Sequence, residues 1–343
     1  MLTIVYPATI DYEWIIQRPQ QLLKAFAELG NKVIFYNYDF YYKQEQPVME
    51  IYPNFFVCRA DVPLKKIGVK GPIVLWITYP MHVQQVGKFH EDLVVFDALD
   101  EPSDEFGLWA NDVDKLASKS DVIFTTAKKM YDYHIKHHNN VHMCPNAADY
   151  EHFSKAQKPF SQKPLDFPRN NRPTIGYFGV LATWMDWELV RYISNQNRHF
   201  NFVLLGPLFD RFTNPVKAYN LYYLGRKEYS ELPEYLQWFD VCIIPFSVTP
   251  MIEGCNPIKM YEYLSAGKPV ITTNMPETSQ YSEIYIGRTK EEFNQVMRKA
   301  ILDKDNEEKI NERIILAKNN SWRHRAQTAL EVIEETLKNK EGK

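Results

Sequence analysis

The stretch that decides the fold is Phe239–Asn274, FDVCIIPFSVTPMIEGCNPIKMYEYLSAGKPVITTN. It reads as a buried strand, a loop, a short helix, a turn and a second strand. Asn256 suits the N-cap and Pro257 the first helical position, giving a helix over Pro257–Ala266. Gly267 suits the left-handed residue that closes it, and Pro269 blocks continuation. A helix that begins at the carboxyl edge of a buried strand offers free N–H groups and a positive dipole end, a seat for phosphate. Lys259 stands in its first turn, and Glu262 shares its face three residues on. A cation followed by a carboxylate that can accept from two vicinal hydroxyls fits one nucleoside diphosphate. An ordinary capped helix with a surface Lys–Glu pair fits the same spacing.

Outward from this stretch, short apolar runs alternate with helical periods. Leu2–Tyr6, Lys32–Tyr36, Ile73–Ile77, Leu93–Phe96 and Val122–Thr125 read as strands, with helices over Gln17–Gly30 and Ala127–His138. Between Lys155 and Pro173 the texture becomes proline-rich and polar, as in a linker. The alternation then restarts with strands at Thr174–Gly179, Phe200–Leu205, Leu221–Leu224, Val241–Pro245 and Val270–Thr273. Helices are expected over Trp187–Asn195, Lys290–Asp303, Asn306–Lys318 and Trp322–Lys338. The expected organisation is an N-terminal Rossmann-like domain over 1–156, a linker over 157–173, a second such domain over 174–320, and a final segment over 321–343 packing back on the first. Two doubly wound α/β halves imply a cleft between domains, with ligands outside the carboxyl ends of the strands.

Composition narrows the function. A length of 343 residues suggests two domains, and a net charge of -3 argues against a nucleic-acid footprint. Aromatics make up 14% of the chain and include 22 Tyr and 20 Phe, side chains that also stack on sugars. Cys58, Cys144, Cys242 and Cys255 form no C-x-x-C pair and read as free thiols of a reducing cytoplasm. The start, Met1-Leu-Thr-Ile-Val-Tyr, has no basic leader, and no apolar run approaches a membrane span. Any membrane contact is expected to be peripheral, at the cytoplasmic face.

The segment Glu253–Val270 resembles the donor-site motif of GT-B glycosyltransferases, in the family 4-like branch that builds teichuronic acid, capsule and O-antigen chains. Further likenesses run in order: Trp14 with Arg18–Leu22, Val95–Glu101, Pro145–Asp149 with Phe153, Ile175–Gly179, Leu224–Arg226, and Ser321-Trp322 with Arg325. The resemblance implies a GT-B fold and transfer of a sugar from a UDP- or GDP-linked donor to a glycan or lipid-linked glycan. It implies no cofactor beyond the donor. Retention of configuration is the family expectation, and inversion with Asp97 or Asp100 as base is the alternative. Gly179 would face the diphosphate, Arg226 the base, Glu253 and Asn256 the sugar, and Glu262 the ribose. The loop Val180–Asp186 lacks the cations the family carries there, so Lys259, with Arg226, would neutralise the diphosphate. The family's two glutamates stand eight apart; Glu253 and Glu262 stand nine apart.

His82 matches a histidine that in relatives touches the donor sugar near the reacting carbon; a surface loop histidine is the alternative. Glu253 is its partner in the expected catalytic pair. Asp11, Trp14, Arg18, Asp97 and Asp100 occupy acceptor-side positions. Tyr36, Tyr38, Phe40, Tyr41 and Tyr42 read mainly as packing, with an acceptor wall or lipid contact as alternatives. His134, His137, His138 and His142 lack the carboxylate or thiol that would complete a metal set. Asp112-Val-Asp114 and Asp303-Lys-Asp305 have an Asp-x-Asp form but no strand-end context. Lys65, Lys66 and Lys70 flank Ile67 and Val69 as a candidate membrane-facing patch. Two rivals share this architecture: a nucleotide-sugar epimerase and a non-catalytic nucleotide-sugar-binding subunit.

Overall fold

The computed structural model describes residues 1–41, 43–158, 162–209 and 215–342. They form two compact units. The first comprises Met1–Asn146, Gly254–Asn256 and Trp322–Lys343; the second comprises Ala147–Glu253 and Pro257–Ser321.

The first unit is built on β1 (Thr3–Tyr6), β2 (Lys32–Asn37), β3 (Val48–Tyr52), β4 (Phe55–Arg59), β5 (Ile73–Ile77), β6 (Leu93–Ala98), β7 (Val122–Thr125) and β8 (Val141–Met143). Their order is β3-β4-β2-β1-β5-β6-β7-β8. Every pairing is parallel except β3 with β4. β1, β2 and β6 are buried along their whole lengths, the pattern of strands covered on both faces. Val5, Ile34, Leu75, Ile77, Phe96 and Ile123 belong to one continuous apolar core. The helix Arg18–Glu28 starts with a reciprocal Gln17–Gln20 capping box, and the last helix, Trp322–Glu341, packs against it.

The second unit carries β9 (Thr174–Phe178), β10 (Asn201–Leu205), β11 (Leu221–Tyr223), β12 (Val241–Ile244), β13 (Val270–Thr273) and β14 (Ile284–Gly287). Their order is β11-β10-β9-β12-β13-β14, parallel throughout. Both sheets are doubly wound, the α/β class the alternating pattern implies.

The change of unit falls at Asn146–Ala147, ahead of the stretch expected to be a linker. The physical reason is aromatic packing. Phe153 stacks on Phe178 at 5.6 Å, and buried Phe167 meets Tyr235 and Phe239. Much of that proline-rich stretch is therefore anchored on the second unit; its residues 159–161 lie outside the described residues.

Arg18 and Asp97 hold the first unit together. The Arg18 guanidinium donates to both Asp97 oxygens, from Nε at 3.2 and 2.9 Å and from Nη2 at 2.8 Å. Trp76 Nε1 donates to the same carboxylate at 3.1 Å. Arg18 Nη1 reaches Pro145 O and Asn146 Oδ1, each at 3.3 Å, and the Trp322 ring lies 5.9 Å from the guanidinium. Asp97 is fully buried and Arg18 is 2% exposed. Removing one partner leaves an uncompensated buried charge, so Asp97→Ala should lose about 3–5 kcal/mol in urea unfolding. Arg18→Met with Asp97→Leu should recover much of that loss, because an apolar pair needs no desolvation. A loss under about 1 kcal/mol for Asp97→Ala would contradict this role.

Candidate functional site

Three strands of the second unit end in a glycine with positive φ. Gly179 follows β9 (φ 137°), Gly206 follows β10 (φ 143°), and Gly225 comes two residues after β11 (φ 68°). They are stitched together: Gly179 N donates to Leu205 O at 2.9 Å, and Gly206 N donates to Gly225 O at 2.8 Å. A Cβ on Gly206 would lie 1.9 Å from Gly179 O, and one on Gly179 would lie 2.8 Å from Lys259 Cε. Backbone leaves no room for a side chain at Gly206, and the positive φ of both residues favours glycine. The carboxyl edge of the sheet thus becomes a bare backbone ledge beside a lysine.

That lysine sits at the head of the helix Ile258–Ser265. Its Nζ lies 5.6 Å from the Tyr177 ring centre and 5.0 Å from that of Phe246. The helix is fixed from behind by Tyr263, whose hydroxyl accepts from Phe178 N at 2.8 Å. Gly267 closes it with φ 71°. Its start differs from the expected cap. Pro257 occupies the N-cap position, and Asn256 instead pairs with Asn146. Asn256 Oδ1 accepts from Asn146 N at 3.1 Å, and Asn146 Nδ2 donates to Asn256 O at 2.6 Å. A tertiary amide pair has displaced the local cap.

Glu262 lies one turn deeper and is 8% exposed. The surface Lys–Glu alternative is excluded by that burial. Desolvation pushes its carboxyl up to about 8, opposed by the Lys259 charge and reinforced by the Asp149 charge. Asp149 caps the helix Tyr150–Phe153 by accepting from His152 N. Ledge, lysine and a carboxyl held largely neutral by burial sit in sequence along one strand-edge, and perturbed carboxyls of this kind cluster at functional sites. Arg226, after Gly225, is 25% exposed and lies 3.8 Å from Glu228. Glu253 is exposed at the end of the helix Pro250–Glu253.

The acceptor-side residues of the first unit separate into three kinds. Arg18 and Asp97 are locked in the core pair described above, so neither faces an acceptor. Asp11, 2% exposed, accepts from the backbone N–H of Phe40 and Tyr41 and so anchors a loop. Trp14 stacks on Tyr41 with ring centres 4.0 Å apart. Asp100 alone lines a cavity, of about 130 Å³, with Thr78, Phe96, Trp109, Tyr133 and His134. Burial raises its carboxyl to about 6 despite the Arg18 charge. His82 is half-buried in the turn Pro80–Gln85, with Nδ1 3.2 Å from Thr9 Oγ1 and an edge contact to Tyr79. Burial lowers its pKa, which favours a neutral imidazole.

The histidine group disperses: His134 packs edge-on to Phe96, His138 Nε2 meets Ser120 O, and His142 Nε2 meets Asn140 Oδ1. Among the described residues no three His, Cys, Asp or Glu are grouped as metal ligands. Sequence reading missed Gly206, Asp149, Tyr177 and Phe246 as site residues. The Gly206-Pro207 strand end was a usable signal for the first; the others depend on the fold.

Comparison with known proteins bears on the second unit and on the fold. Residues 172–303 match the family model described as glycosyl transferases group 1. Over nearly its full length the chain has the fold of sucrose-phosphate synthase from Thermosynechococcus elongatus (TM-score 0.71, 12% identity, 98% of this chain and 99% of that one). It is also similar to Alr3699/HepE of Anabaena, solved in complex with UDP and glucose (TM-score 0.69, 11% identity, 97% and 99%). The family match thus covers the second unit, and the fold over the whole chain is the one these solved structures share. Among curated proteins it is 28% identical over 150 residues to a protein of Bacillus subtilis (strain 168), TuaH, named for a glycosyltransferase role in teichuronic acid biosynthesis. That match covers 43% of this chain and only 37% of TuaH.

Glu262 yields a pH test with a fixed sign. Its carboxyl is raised from 4.5 to about 8, so its contribution to stability is present below about 4.5 and lost as pH rises through about 8. Unliganded Glu262→Gln should therefore melt higher than wild type at pH 8, with the difference vanishing near pH 4.5. Equal melting temperatures at pH 8 would show that Glu262 carries no such desolvation.

Proposed function

We propose that the protein moves a hexose-type sugar from a nucleoside-diphosphate sugar to a glycan or lipid-linked glycan acceptor in surface polysaccharide synthesis. The observation that carries this reading is the Gly179–Lys259–Glu262 arrangement. The glycine ledge leaves room for a diphosphate beside the start of the helix Ile258–Ser265, Lys259 supplies the opposing charge, and Glu262 accepts from the two ribose hydroxyls. In such a site the fixed cation and helix end stabilise the leaving diphosphate as its charge develops. No divalent metal is needed for that role, so turnover should survive EDTA; activity abolished by EDTA and restored by manganese would refute it. Retention of configuration is part of the proposal, with Asp100 as the base of an inverting alternative. UDP is the first nucleotide to try, because HepE was solved with UDP and glucose. TuaH supports the surface-polysaccharide acceptor.

Donor binding tests the residues one by one. Above pH 8, where the Glu262 carboxyl is ionised, hydrogen bonds to a charged group contribute roughly 1.5–3 kcal/mol, so Glu262→Gln should there bind donor roughly 10- to 150-fold more weakly. Wild type should discriminate ribo- from 2′-deoxyribonucleotide donors, and Glu262→Gln should largely not. Lys259→Ala should weaken donor and free nucleoside diphosphate alike, measured by calorimetry. Unchanged diphosphate affinity in that variant would remove Lys259 from the assignment. An epimerase would instead convert donor with no acceptor present, and a binding subunit would turn over nothing.

Peripheral membrane work is part of the same proposal. Among the described residues no helix is long and apolar enough to cross a membrane. A groove of about 610 Å³ in the first unit is lined by Tyr36, Leu64, Lys65, Val69, Lys88 and Phe89. Basic residues near anionic lipid contribute about 1 kcal/mol each, so binding to anionic vesicles should be salt-sensitive. Failure to co-sediment at low salt would count against it.

A further inference from the structure

Two loops at the carboxyl edge of the first sheet, residues 7–17 after β1 and 38–41 after β2, present an aromatic face that packing does not explain. Tyr38 is 54% exposed, Phe40 68% and Tyr41 57%. The expectation that the run Tyr36–Tyr42 is core packing holds for Tyr36, which is 4% exposed with its hydroxyl on Val62 O at 3.0 Å. It fails for the next three aromatics, and Tyr42 lies outside the described residues. Tyr38 and Phe40 stack at 6.1 Å, Phe40 meets Tyr41 edge-on at 4.7 Å, and Tyr41 stacks on Trp14.

The face is rigidly mounted. Both Asp11 oxygens accept from Phe40 N at 3.1 Å, and Tyr41 N donates to the same carboxylate. Asp39 sits in left-handed backbone (φ 59°) with its carboxylate accepting from Asn37 Nδ2 at 2.5 Å. Asn37 Oδ1 in turn accepts from Tyr12 N at 2.8 Å, tying the two loops together. A buried aspartate and a strained aspartate thus hold a row of large apolar rings out to solvent. Such strain and exposure persist where function needs them.

We propose that Tyr38, Phe40, Tyr41 and Trp14 form a stacking platform for pyranose rings of a saccharide chain. Pinned tyrosine and tryptophan supply wide contact area with little ordering entropy to lose. Charge favours one occupant. Around the rings the two loops hold Asp11, Glu13 and Asp39, and further along the second loop one lysine, Lys43, is balanced by Glu45. Carboxylates accept from sugar hydroxyls and repel an anionic bilayer surface, so a saccharide is favoured over lipid. The lysines that suit lipid, Lys65 and Lys88, line a different groove of the unit. Taken as the acceptor's binding surface, this rests on the proposed transferase reading and deepens it. The acceptor is then already a glycan chain several rings long, not a bare lipid phosphate.

The test uses the full chain on a printed array of bacterial surface oligosaccharides, beside vesicles of equimolar phosphatidylcholine and phosphatidylglycerol. UDP affinity is measured on the same samples. Wild type should retain a set of saccharides, and Tyr38→Ser with Phe40→Ser should retain them at least about tenfold more weakly with UDP affinity unchanged. Both positions are exposed, so the double variant should fold, which its melting temperature checks. Three outcomes overturn the proposal: no saccharide retained by wild type, equal retention by the double variant, or vesicle binding that the double variant alone loses. Saccharide retention without UDP binding would sink the donor-site reading and leave the platform standing.

Discussion

The buried Arg18–Asp97 pair is the constraint around which the first unit is arranged. Two charges taken out of water are tolerated only when geometry is good and the remaining hydrogen-bonding capacity is filled. Here the fork of Arg18 meets both carboxylate oxygens, Trp76 takes one more, and Pro145 and Asn146 accept from the far nitrogen. Each partner comes from a different part of the chain: the first helix, β5, β6 and the segment after β8. Trp322 of the last helix covers the guanidinium, and Arg325 of that helix donates to Pro145 O at 3.1 Å. A slip of any of these elements would strand a charge, so the pair specifies register as well as contributing energy. It also divides the labour of two nearby aspartates. Asp97 is fully occupied by its donors, while Asp100 is left to burial, which wins over the Arg18 attraction and raises its carboxyl.

How much of this could be read from the chain depends on sequence distance. Strands buried on both faces announce themselves as continuous apolar runs, so β1, β2, β5 and β7 were legible nearly to the residue. β3 and β4 were not, although Pro53-Asn54 between them marks a turn and Asn54 adopts φ 67°. β8 has three residues and is too short to show a period. Helix Ile258–Ser265 was legible because its punctuation is local: proline before, glycine and proline after. Its burial was not, since Met260 to Ser265 are all buried and a helix covered all round shows no polar face. The same limit hid Arg18 and Asp97, whose residue types at motif positions pointed to an acceptor while their partnership spans 79 residues. Asn256 shows the converse: a good local cap overruled by a partner at Asn146, 110 residues away.

The two halves of the proposed donor site are coupled by one lysine. In the unliganded protein Lys259 is the opposing charge that eases the burial of Glu262, and Asp149 works against it. A diphosphate on the glycine ledge would draw on that same positive charge. Glu262 would then be harder to ionise unless something else satisfied it. Two ribose hydroxyls, one group further along the donor, do so by donating directly to the carboxylate. Phosphate recognition and ribose recognition therefore cannot be independent, because each changes the electrostatic partner of the other. A ligand carrying only one of the groups leaves either the lysine or the carboxyl poorly matched. On the proposed reading a nucleoside diphosphate would answer both at once, and that joint requirement would be a sharper source of selectivity than either contact alone.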